Sequence, residues 1–69
     1  MRAITFTTLE SVHLSNGSLL ELTRAGRQYR VMLASPVFGV APEIQGGLNK
    51  AQAYMVYTDY LRSDVLELD

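Results

Sequence analysis

The chain has no cysteine and no tryptophan, and only one histidine and two prolines among its 69 residues. Without cysteine there is neither a disulfide nor a thiolate metal site to supplement the core, which points to an intracellular protein held together by packing or by a partner. A single histidine leaves almost no inventory for nucleophilic or general-base chemistry, and no recognisable motif surrounds any serine. Charge of one sign is lacking too: six basic and seven acidic residues give a formal charge of -1. So balanced a chain is not steered as a whole toward nucleic acid or anionic lipid. No apolar stretch approaches the ~20 residues of a membrane span. Residues 1–6, MRAITF, carry neither the apolar core nor the cleavage pattern of a signal peptide. A mature, soluble, cytoplasmic protein is the expectation.

What is present is a hydrophobic fraction of 48%, enough for one folded domain spanning residues 1–69. A domain this small hides only about 60% of the surface that its unfolded chain exposes. A lone monomer should therefore be marginal, and self-association as a homodimer is expected.

The first half reads as strands, at about 3–14, 18–24 and 27–34. Ile4, Phe6, Val12 and Leu14 share one parity and Thr5, Thr7, Ser11 and His13 the other, so one face is meant for a core. Leu9 sits on the wrong parity, which calls for a bulge near positions 8–10 or a division of the strand in two. A three-residue loop, Ser15-Asn16-Gly17, pairs Val12 with Leu20 and gives Gly17 a left-handed conformation. Closing the second turn with Arg24 opposite Arg27 places Leu22 across from Tyr29, Leu20 across from Val31, and Glu21 across from Arg30.

Residues 35–47 contain Pro36, Gly39, Pro42, Gly46 and Gly47, which break regular structure, yet they also carry Val37, Phe38, Val40 and Ile44. This loop is expected to plug one end of the core; its alternative role is an exposed apolar recognition loop. A helix follows at about 49–62, with Leu48, Ala51, Tyr54, Met55, Thr58, Leu61 and Val65 on its buried side. Asn49 and Gln52 are placed to form a capping box. Val56 and Tyr60 fall on the opposite, polar side, four residues apart and adjacent on the helix surface. Residues 65–68 either continue the helix or form a short fourth strand at a sheet edge. The fold class is therefore α+β: an antiparallel three-stranded β-meander, an apolar loop and one C-terminal helix packed on the sheet. The strand-strand-strand-helix order is similar to part of a double-stranded-RNA-binding domain, but the first helix and the basic entry to the last are missing, and topology does not carry function.

The candidate chemistry is sparse. His13 lies on the outward face of a strand without a second histidine at ligand spacing, and the carboxylates are scattered, so no catalytic residue, metal or cofactor is expected. Gly46-Gly47-Leu48-Asn49-Lys50 lacks the first glycine and the Lys-Ser/Thr ending of a phosphate loop. Arg24, Arg27 and Arg30 gather at the second hairpin, where they suit an acidic protein surface or a nucleic-acid backbone. Together with Phe38, Val56 and Tyr60 they form the expected partner-binding set of a non-enzymatic protein-binding module. By size and composition such a module fits the small inhibitors with which phages and mobile elements block a host complex, anti-CRISPR proteins among them. The alternative function is a nucleic-acid-binding regulator acting through the arginine hairpin.

Overall fold

Alternating side chains and four glycines with positive φ set the architecture. The computed structural model describes the backbone of residues 5–67 and the side chains of residues 5–64. The strands are β1 (Thr7–His13), β2 (Leu19–Ala25), β3 (Gln28–Ala34) and β4 (Glu43–Leu48), followed by the helix α1 (Lys50–Glu67). They form one antiparallel sheet in the order β1-β2-β3-β4, with α1 packed across β2 and β3. The fold is α+β, and it includes a fourth strand. The expected strand start at Ala3, the core position of Ile4, the side chain of Val65 and residue Leu68 lie outside the described residues.

The first hairpin has the expected register: Val12 faces Leu20, and Gly17 adopts a φ of 88° in the loop 15–17. The Asn16 side chain accepts the Ser18 N–H at 2.9 Å, an Asx turn that holds the loop. Leu9 is the extra residue of a β-bulge between Thr8 and Glu10. The bulge switches faces, so Val12 and Glu10 lie on the helix side while Thr8 lies on the other. Phe6 shares the side of Thr8 and sits there against the Arg30 guanidinium, 4.0 Å from its ring centroid. It is not a core residue beside Val12, as parity without the bulge implied.

The second hairpin is shifted by two residues from the expected register. Leu22 faces Val31, Leu20 faces Leu33, Arg24 faces Tyr29 and Thr23 faces Arg30. The loop is therefore Gly26-Arg27, with Gly26 at φ 62° and, among the described residues, no non-glycine residue at positive φ. A two-residue loop with glycine first fits a type II′ turn, whereas a loop of Ala25-Gly26 would force Ala25 toward positive φ. A two-residue shift preserves which face each side chain occupies, so the core residues remain correct while Glu21 faces Met32 instead of Arg30. Thr23, on the side away from α1, is buried and accepts a weak bond from Arg30 Nε at 3.4 Å.

Part of the expected loop 35–47 is β4. Its Gly46-Gly47 pair stands opposite Arg30 alone, between the pairs Tyr29 with Leu48 and Val31 with Gln45, and Gly47 has a φ of 67°. The double glycine thus makes a bulge in an edge strand rather than only an approach to the helix. The capping box forms as the spacing requires: Asn49 Oδ1 accepts the Gln52 N–H at 2.8 Å and Gln52 Oε1 accepts the Asn49 N–H at 3.0 Å.

The helix presents a different face from the one expected. Ala53 and Tyr57 are buried with Leu20, Leu22 and Val31, and Val56, Tyr60 and Leu61 pack against them. Tyr54 and Met55 point to solvent, Met55 with 64% of its surface exposed. α1 carries apolar residues around much of its circumference, so periodicity selects no unique buried stripe; the spacing of Ala53, Val56, Tyr57, Tyr60 and Leu61 is equally helical. The helix continues through Ser63-Asp64 to Glu67.

Candidate interaction surface

Loop 35–42 leaves the sheet at the end where the β1–β2 turn and the C-terminal half of α1 also lie. Ser35 Oγ accepts the Val37 N–H at 3.1 Å, and the Val37 carbonyl accepts the Val40 N–H at 3.3 Å. Gly39, third of the four turn residues, has a φ of 88°, the signature of a type II turn. This places Phe38 at the tip with its side chain fully exposed. Val37 and Val40 flank it, and Ile44 follows on β4 with 52% exposure. The loop does not plug the core; its hydrophobic side chains face outward. Loops usually expose polar side chains, so a Val-Phe-Gly-Val turn in water is the surface feature that needs a function.

Beside the loop, shallow depressions run between α1 and the sheet. One of ≈ 340 Å³ is lined by Gln45, Val56, Asp59, Tyr60 and Ser63, and one of ≈ 270 Å³ by Leu14, Asn16, Leu33, Tyr60, Ser63 and Asp64. A third, ≈ 90 Å³, reaches the loop through Ser35, Val40, Ala41 and Glu43. Among the described residues, every charged one lining these depressions is acidic. Tyr60 stands among them, its hydroxyl donating to Glu43 Oε2 at 3.2 Å and accepting from Gln45 Nε2 at 3.4 Å. Val56 and Tyr60 are therefore not outward anchors. They are half-buried on the sheet side of α1, and only their rims line the groove.

The three arginines do not form one patch. Arg24 shares the helix side with Tyr29, Arg27 stands in the turn, and Arg30 lies half-buried on the opposite face against Phe6. They also lie at the other end of the sheet from Phe38, so the expected partner-binding set divides into an apolar, acidic end and a basic end. His13 is exposed on the face away from α1, opposite Leu19.

Among the described residues no group of three His, Cys, Asp or Glu side chains is placed to hold a metal ion. No helix of the described residues is long and apolar enough to cross a membrane. Burial, with a smaller contribution from the Glu10 carboxylate, raises the Tyr57 hydroxyl above its ordinary value. Tyr57 is a core residue, so this shift bears on stability. The sequence reading included Phe38, but it missed Tyr54 and Met55 as outward residues because it assigned them to the buried stripe. No family model matches the chain, and comparison with curated proteins and with solved structures finds no similar one.

Proposed function

We propose that this protein is a non-enzymatic protein-binding module whose docking element is the turn at residues 37–40, with Phe38 as the anchor. The observation that carries this reading is the full exposure of Phe38 at the tip of a turn ordered by Gly39 and Ser35. Burying an aromatic side chain in a partner's pocket is among the largest single gains available to an interface, and a preordered turn lowers the entropic cost of docking. Glu43 and Asp59 beside the loop favour a partner whose apolar pocket has a basic rim. A module that occupies such a pocket acts as an inhibitor of a larger complex, in line with a small phage or mobile-element protein working in the cytoplasm. A nucleic-acid-binding role through the arginines has less support, because Arg24 and Arg30 lie on opposite faces of the sheet and Arg30 is engaged with Phe6.

The test is affinity capture from a lysate of the source cells with the wild-type chain and the Phe38→Ala variant side by side. A protein retained by the wild type and lost with Phe38→Ala supports the reading. Equal retention by both, or loss only on Arg24→Glu with Arg27→Glu, overturns it.

A further inference from the structure

We infer that two copies of this chain pair through the sheet face turned away from α1. The helix covers one face only; the other presents Leu19, Met32 and Ile44 in a continuous apolar patch, with Ile44 half-exposed. A compact monomer of 7.7 kDa exposes roughly 4,300 Å² by the scaling of surface with mass. This chain exposes 5221 Å². The excess of about 900 Å² is close to the ~800 Å² that each partner contributes to an interface of standard size.

Two-fold symmetry narrows the choice of surface, because a closed dimer sets each patch against itself. The acidic end would then oppose Glu43, Asp59 and Asp64 to their own copies, and the turn end would oppose Arg24 and Arg27 to theirs, both repulsive. Edge-to-edge sheet extension is blunted by the Leu9 bulge in β1 and the Gly46-Gly47 bulge in β4. The outward ridge of α1 offers only Tyr54 and Met55 as large apolar groups. On the open sheet face the formal charges among the described residues are Glu21 and Arg30, of opposite sign, so two copies of this face attract as readily as they repel. Such a dimer leaves both Phe38 turns free at its ends, and it stands independently of the role proposed for that turn.

Sedimentation equilibrium of the full chain at micromolar concentration tests it, together with Ile44→Glu, Met32→Glu, and Tyr54→Glu with Met55→Glu as the control surface. Wild type and control are expected to sediment at twice the 7.7 kDa chain mass, while either substitution on the open face halves the mass. Ile44 is on an edge strand and half-exposed, so its variant keeps the fold, which circular dichroism verifies. As a second measurement, dilution of the labelled wild type should move the amide resonances of Leu19, Met32 and Ile44. A wild-type mass of one chain overturns the inference. So does a dimer that survives both open-face substitutions, or one that dissociates with the α1 substitutions alone.

Discussion

The Asp64 carboxylate ties the C-terminal half of the helix to the first hairpin by accepting two hydrogen bonds from Ser15, from its hydroxyl at 2.6 Å and from its backbone N–H at 3.1 Å. The two residues are 49 positions apart, so this contact closes most of the chain. It also sets the end of α1 beside the loop that carries Phe38.

Asp64→Ala removes both bonds. Charge-assisted hydrogen bonds at an accessible site are worth about 1 kcal/mol net, which for a domain of this size lowers Tm by roughly 4–8 °C. Ser15→Ala should lose part of that, and the double variant should lose less than the two single losses added together. Additive losses in a double-mutant cycle would show that the pair does not interact.

Leu22 and Val31 face each other under the helix, both buried. Truncating either to Ala should cost roughly 2–4 kcal/mol through lost burial and the cavity left behind, enough to unfold much of a domain this small. Thr23→Ala, on the other face, should cost about 1 kcal/mol, because Thr23 is also buried and bonded to Arg30. Urea melts give the ranking; a silent Leu22→Ala would contradict the register.

Tyr57 makes stability fall at alkaline pH. Its hydroxyl ionises at about 10 in the unfolded chain and at a higher pH in the folded one, chiefly because it is buried and secondarily because of Glu10. Below that ordinary value both states are neutral and the shift has no effect. As pH rises through it, the unfolded tyrosinate is favoured and the folded state loses stability. Melting temperatures across this range should fall less steeply for Tyr57→Phe, and absorbance titration of Glu10→Gln should show a lower pKa for Tyr57. An unchanged alkaline slope in Tyr57→Phe would assign the effect to other groups.

Much of the fold was legible because local chemistry and the hydrophobic pattern agree. Asn16-Gly17 marks its loop, Leu9 marks the irregularity at positions 8–10, which a bulge or a division of the strand would satisfy and which is a bulge, and Asn49 with Gln52 marks a helix start. The second hairpin register was legible in the turn chemistry, since Gly26 serves best as the first residue of a two-residue loop, but pairing by hydrophobic pattern alone cannot distinguish registers two residues apart. β4 was hidden because Gly46 and Gly47 resemble a break and become a strand only by bulging against β3. The buried face of α1 was not legible: Tyr54 and Met55 form as good an apolar stripe as Val56 and Tyr60, and contact with the sheet decides between them. For the candidate site, the sequence brought Phe38 forward but could not show whether its loop turned inward.

Phe38 contributes no burial within the chain, so Phe38→Ala should leave urea and thermal melts within about 0.5 kcal/mol of wild type. The most direct measurement is calorimetric titration of the captured partner with the wild type and with Phe38→Ala. An anchor residue costs about 2 kcal/mol or more on truncation, so Kd should weaken by roughly 30-fold or more while the variant stays folded. An unchanged Kd with the side chain removed would contradict the account.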